Sequence, residues 1–474
     1  MKGSRFPTVA WALLAPALIF AASDQPLPPL PELRLTGSFA TVSRQIRDAE
    51  AVVRAHPRNP AANGKLAMVL DTYEQFAAAG VCYRRANLLD PKSFDWLYDL
   101  GWVEFKQGHY EEAAKALAGS LRLRPDYLPA ELKLADSWLA AAQFESAGKL
   151  YEQTIQQQPD SAEAHYGLGR VEAAGGDLKA AAAALEKACD LFPRYGMAHY
   201  ALARVFQKLG EAKEAEAQFT LYRANVTTVP PAADPLRAAV EQLDQSPQAL
   251  VRRGITLAQT GDLQGAIREH LKVLAIDPND VQAHINLIQL YAQAGEVERA
   301  EYEYQAAVRL NPNRADCYYN YGVMMFHLQR NSEAEMAFRQ AIEINPYHAE
   351  AHNNLGVLLE MQGKVDAALA EFEQAVRDQP DYRLAHFQLG RILVNQEKYP
   401  QAIEEFQKSL TPDDENTPSY LYALGATYAR AGDRQNALRY MREARDRASA
   451  RGQSALLASI DKDLESLEGQ ANPH

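Results

Sequence analysis

Proline recurs along this chain at intervals of 34 residues: Pro57, Pro91, Pro125, Pro159 and Pro193, then, after a break, Pro278, Pro312, Pro346 and Pro380. Each follows an apolar stretch of helical spacing. Proline suits a place where a helix must stop, because it lacks the N–H and its ring clashes with the preceding turn. A sustained period of this length makes the chain an array of like units, so its 474 residues do not translate into a count of globular domains.

Other positions keep the same phase. Nine residues after the prolines comes a large apolar side chain, as in Leu66, Leu100, Leu168, Leu287 and Leu355, and ten after comes a tiny one, as in Ala67, Gly101, Gly169, Gly322, Gly356 and Gly390. At seventeen, Gly108, Gly176, Gly210, Gly295 and Gly363 mark a turn that glycine enters cheaply because it tolerates positive φ. At twenty-six a bulky residue stands each time: Tyr83, Leu117, Tyr151, Leu185, Phe219, Tyr304, Phe338, Phe372 and Phe406. Apolar spacing within the unit is three to four, and a sustained period of two is lacking. The expected fold class is all-α: an α-solenoid of antiparallel helix hairpins, each hiding against its neighbours the face it would otherwise leave wet.

This arrangement of small, bulky and proline positions resembles the tetratricopeptide repeat. Eleven units are expected, starting near residues 60, 94, 128, 162, 196, 247, 281, 315, 349, 383 and 418. The resemblance implies a right-handed superhelix whose concave side is lined by the first helix of each unit, and a role in binding proteins or peptides. Between Pro193 and Pro278 lie two and a half periods, and the stretch VPPAADP at 229–235 interrupts the pattern. The array is therefore read as an N-terminal block at 36–227, holding an opening helix and five repeats, and a C-terminal block of six repeats at 247–449. A linker at 228–246 joins them and carries one unpaired helix, with Asp234 as cap and proline in the first turn. A capping helix and tail follow at 450–474, where Leu456, Ile460, Leu464 and Leu467 share one side.

The start of the chain differs. Lys2 and Arg5 precede an apolar run at 9–22, and Ala21, Ala22 and Ser23 offer small residues before Asp24. The run is shorter than the roughly 20 residues a membrane-spanning helix needs, so 1–23 is read as a secretory signal peptide, and 24–35 as a proline-rich, extended linker. That places the protein in the periplasm or outside the cell, with no membrane span after cleavage. The alternative is a membrane-tethered accessory subunit whose residues 9–22 stay as an anchor. The three cysteines, Cys82, Cys189 and Cys317, fall in different repeats and are expected as buried or partly buried free thiols. A formal charge of −12 with scattered basic residues argues against sequence-independent binding to nucleic acid, which draws on clustered cations.

Eight residues after the proline, the first helices of the C-terminal block present Asn286, Asn320, Asn354 and then Gln388. A side-chain amide both donates and accepts, so such a row can pair with the backbone of an extended peptide without reading its side chains. The row is similar to the asparagine ladder in the repeat superhelix of O-linked N-acetylglucosamine transferases. The same residues are also compatible with a plain solvated face. One position earlier stand Tyr319 and Phe387, broad faces suited to a binding hot spot or to packing on the next repeat; Arg391 adds a cation. These seven residues are the candidate peptide site. His165, His199, His284, His352 and His386 lie six after a proline, a repeat apart and too distant to share one metal ion, so they are assigned to packing. No phosphate loop, dinucleotide fingerprint or nucleophile elbow occurs. The expectation is a protein- or peptide-binding scaffold that is not an enzyme and needs no cofactor and no metal.

Overall fold

The computed structural model describes residues 26–33, 35, 39–231 and 233–469. The apolar run at 9–22 and the signal-peptide reading of 1–23 lie outside them. Among the described residues every regular element is a helix, 25 in all, and none is long and apolar enough to cross a membrane.

The chain divides into two compact units, 1–246 and 247–474. The first holds an opening helix, Ala40–Ala55, and five hairpins at 60–89, 94–123, 128–157, 162–191 and 196–224. The second holds six hairpins, at 247–276, 281–310, 315–344, 349–378, 383–408 and 417–450, and ends in the helix Ser454–Gly469. Helix starts are set by side chains that take up free N–H groups: Asn59, Ser161, Asp177, Asp262, Asp280 and Asp433 each accept from a backbone N–H three residues on.

The in-phase series acquire a mechanical meaning. The bulky residue of a hairpin's second helix lies directly over the small residue of its first. A Cβ added to Gly356 would meet the Phe372 ring at 2.7 Å, and Gly322, Gly390 and Gly101 stand in the same relation to Phe338, Phe406 and Leu117. The turn at position seventeen is left-handed whatever residue occupies it. Gly108, Gly176, Gly210, Gly295 and Gly363 have positive φ, and so do Glu74, Ala142, Gln329 and Glu397, at 56–60°. Cys82 and Cys317 are buried free thiols and Cys189 is a half-buried one.

The histidine positions are structural. In four hairpins Nε2 lies 2.9–3.1 Å from the carbonyl of the proline six residues back, and Nδ1 lies 2.5–2.6 Å from an oxygen nineteen residues ahead: His199 with Gln218, His284 with Glu303, His352 with Glu371 and His386 with Glu405. For the three that face a glutamate, His284, His352 and His386, two acceptors call for two N–H donors, which is the imidazolium form. For His284 the Glu303 hydrogen bond raises the pKa against the pull of burial; for His352 and His386 burial lowers it, and the bonds to Glu371 and Glu405 with the proline carbonyls more than compensate. With folded values above the unfolded ~6.5, this stabilisation is complete below about pH 6.5 and is lost as pH rises through the folded values. The melting temperature should therefore fall more steeply above pH 6.5 in the wild type than in a variant with all three changed to glutamine; parallel slopes would refute the assignment.

Two segments differ from the sequence expectation. The proline-rich stretch is irregular yet not a free tether: Leu30, Leu33 and Leu35 pack on the first core cluster, and Arg85 donates to the Pro28 carbonyl. The helix in the linker, Pro235–Glu241, is not unpaired. It packs against the first helices of the first two hairpins, Pro60–Thr72 and Phe94–Lys106. Leu236 and Val240, at i and i+4, with Leu243 in the turn just beyond, form one apolar side, and Val240 is fully enclosed. Three apolar residues are too few to stand out in the sequence beside a repeat that offers no partner position for them.

Candidate functional site

The seven sequence-derived residues all sit on first helices of the C-terminal unit, and the structure sorts them into two groups. Asn286 and Asn320 line adjoining cavities. The cavity at Asn286, of about 310 Å³, is walled by Ile255, His270, Gln289 and Gln293 among others. The cavity at Asn320, of about 380 Å³, is walled by Tyr319, Val323, Met324 and His327 and shares Gln289 and Gln293 with the first. Asn286 Oδ1 accepts from Gln282 at 2.9 Å, while its Nδ2 is buried without a hydrogen-bond partner among the described residues. Asn320 Nδ2 makes only a long bond, 3.4 Å, to the Ile285 carbonyl. Asn354 joins this group through Tyr319, whose hydroxyl accepts from its Nδ2 at 3.4 Å.

Gln388 and Arg391 hold each other, and Arg391 also reaches Glu360 at 3.3 Å. Phe387 packs on the next hairpin: its ring stacks on Tyr420 at 4.5 Å and meets Phe406 at 5.6 Å. These three residues line neither cavity. Tyr319 does both jobs, facing one cavity while its ring lies 4.7 Å from His348 and 6.0 Å from Phe338.

Sequence reasoning missed His270. It occupies the bulky position over Gly254, where an added Cβ would meet it at 2.7 Å. Burial lowers its pKa, keeping it neutral, and its Nδ1 is a second buried polar atom without a partner. A buried polar group lacking a hydrogen bond costs about 1–3 kcal/mol. Asn286 and His270 both line this one cavity, so two unsatisfied polar groups belong to the same wall. The available signal was a histidine in a series otherwise filled by tyrosine, leucine, phenylalanine and, in the last hairpin, Met441. Gln289 and Gln293, three and seven residues after Asn286, were also missed; they extend the amide surface along the same helix.

The N-terminal unit uses the corresponding face differently. There the position eight after the proline is charged in two successive units, Asp99 and Lys133. Arg237, from the linker helix, places its guanidinium bidentately on Asp71, at 2.6 and 3.2 Å, and reaches Asp99 at 3.2 Å. The two carboxylates are 1% and 2% exposed. Burial pushes Asp99 up to about 7, against the pull of Arg237. Asp234 caps the linker helix and accepts from the hydroxyls of Tyr98 and, at 2.7 Å, Tyr127.

A tetratricopeptide repeat model matches residues 71–127, 132–196, 176–230, 327–382 and 353–420, and a second model of the same repeat matches 257–319. A 92-residue stretch is 30% identical to the transcriptional regulator HilA of Salmonella typhimurium; it covers 19% of this chain and only 17% of that protein's length. Among solved structures, Pseudomonas aeruginosa pilF aligns over 46% of this chain and 97% of its own at 20% identity and a TM-score of 0.41. MamA aligns over 33% and 92% at 29% identity and a TM-score of 0.29.

Proposed function

Because the chain belongs to the tetratricopeptide repeat family, we propose that it is a scaffold that binds a protein or extended peptide along the first helices of its C-terminal unit, without catalysis. The observation that carries this reading is the pair of buried, unpartnered polar atoms, Asn286 Nδ2 and His270 Nδ1, beside a cavity continued by Gln289, Gln293, Asn320 and Tyr319. Amides along this wall pair with the peptide backbone, and the apolar floor of Val323 and Met324 takes a side chain. Many modest contacts on a preordered surface then set affinity.

The test is selection of displayed peptides on the wild type, followed by affinity measurement on Asn286→Ala plus Asn320→Ala. Losing two hydrogen bonds at about 0.5–1.5 kcal/mol each should weaken binding by about 5–150-fold. Equal affinity for both proteins would place the peptide elsewhere and sink the assignment.

The setting proposed for this activity is assembly of a cell-envelope or secreted complex, on the strength of the basic start, the apolar run at 9–22 and the small residues before Asp24. The same run, if retained, gives a membrane-tethered accessory subunit instead. N-terminal sequencing of the protein purified from its own cells separates the two: a start at Asp24 supports export, and a start at Met1 supports the anchor.

A further inference from the structure

The inner face of the N-terminal unit already holds a peptide, and it is the chain's own. Residues 234–245 enter as an irregular segment, form two turns of helix and leave as an irregular segment. The unit meets them with side chains from several elements. Asp71 and Asp99 take Arg237; Tyr98 and Tyr127 take Asp234; Thr72 donates to the Val240 carbonyl at 2.8 Å and Gln45 to the Leu243 carbonyl at 2.9 Å; Tyr73 accepts from the Gln245 N–H at 2.9 Å. Trp102 stacks beneath the Arg237 guanidinium, 4.9 Å from its ring centroid. This is the anatomy of a receptor. A pair of buried carboxylates is costly unless a cation meets it, and the cation arrives on the inserted segment, not on the repeats.

The occupant is built like a ligand. A seven-residue helix does not hold its shape in water, since nucleation costs more than so few hydrogen bonds return. Its flanks contain Pro230 and Pro231 on one side and a turn at 242–243 on the other. It also fills only part of the face. Beside it lies a cavity of about 460 Å³, walled by the segment's own Asp234, Arg237 and Glu241 and, opposite, by Tyr166, Arg170 and Tyr195. Tyr195 is 6% exposed and no described residue bonds to its hydroxyl. An entering chain therefore finds open surface next to the segment before it must displace anything.

We propose that this face is a receptor for a short helix carrying a capping aspartate, an arginine three residues later and an aliphatic residue three further on, and that residues 234–245 are its built-in occupant, displaced by a partner segment of the same chemistry. The tether holds the occupant at an effective concentration in the millimolar range, so a partner succeeds only by gaining contacts the occupant lacks, and the open cavity with the Tyr195 hydroxyl offers them. The site lies in the other unit from the amide row of the C-terminal hairpins, so either proposal can fail alone.

The probe is a fluorescein-labelled peptide of residues 233–245, added to the full-length protein and followed by fluorescence anisotropy. Wild type should bind it weakly. A variant whose own segment is expelled by Arg237→Glu with Val240→Asp should bind it at least tenfold more tightly, and adding Asp71→Asn and Asp99→Asn should abolish the gain. A peptide carrying alanine in place of its arginine should bind the expelled variant at least tenfold more weakly. Equal binding by wild type and a folded expelled variant, or indifference to the peptide's arginine, overturns the proposal. Hydrogen exchange on the wild type guards against a variant that does not fold. The amides of 238–243 should exchange at least a hundredfold faster than those of the helix Pro60–Thr72 that carries Asp71; equal protection would make the segment a fixed part of the fold and overturn the proposal.

Discussion

Phe372→Ala should lower the stability of the C-terminal unit by about 3–5 kcal/mol, the range for truncating a buried phenylalanine. The ring is fully enclosed in a cluster with Leu355, Leu358, Leu359, Leu389 and Ile392. It faces Gly356, so no side chain opposite can swing into the space left behind. The partner substitution should then change sign with context. In the wild type, Gly356→Ala drives a Cβ to 2.7 Å from the ring and should cost about 1–3 kcal/mol by overpacking. In the Phe372→Ala background the clash is gone, and alanine's helical advantage of about 1 kcal/mol should make the same change neutral or favourable. Denaturant unfolding followed by far-UV circular dichroism measures all four corners of the cycle. Additive effects would mean that the two residues do not share one space, and the packing rule read from the repeat would be wrong.

Gly196→Ala should be the most damaging glycine substitution in the N-terminal unit, at about 1–3 kcal/mol or more. The added Cβ would sit 2.0 Å from the Asn225 carbonyl oxygen and 2.8 Å from its carbon. Both are backbone atoms, and they belong to the turn whose Thr228 carbonyl accepts from the Gly196 N–H at 3.2 Å. A side chain would yield by rotating; this turn must move as a whole and give up that bond. Gly175→Ala is the control of opposite sign. Nothing lies within 4 Å of its added Cβ, and removing a helical glycine's freedom in the unfolded chain is worth about 0.4–1 kcal/mol. Trp96, Trp102 and Trp138 all lie in this unit, so tryptophan fluorescence reads the comparison directly. Equal midpoints for the two variants would contradict it.

The fold was legible because every unit repeats the same local demands. A stop at the proline, a small residue under a bulky one and a tight turn at position seventeen recur with fixed spacing, and the structure uses each as the spacing implies. The left-handed turn shows how far the shared hairpin geometry reaches: it persists at Glu74, Ala142, Gln329 and Glu397, where no glycine announces it. The candidate site was legible in part. The amide row stands on the expected helices, but its residues divide. Phe387, in the same register as Tyr319, is spent on packing against Tyr420. Register places a residue on a face; the size of its neighbours decides whether it stays open to that face.

Element type and the approximate start of each hairpin are written in the chain's period, because they depend on residues 16 to 34 apart that the units repeat. Tertiary structure alone decided what occupies the inner face of the N-terminal unit. Arg237 meets carboxylates 138 and 166 residues away, and a single arginine in a short linker carries no period from which those partners can be read. The two unpartnered atoms at Asn286 and His270 have the same origin, because whether a polar atom is satisfied depends on every element that surrounds it, and a one-dimensional pattern holds only its own neighbours.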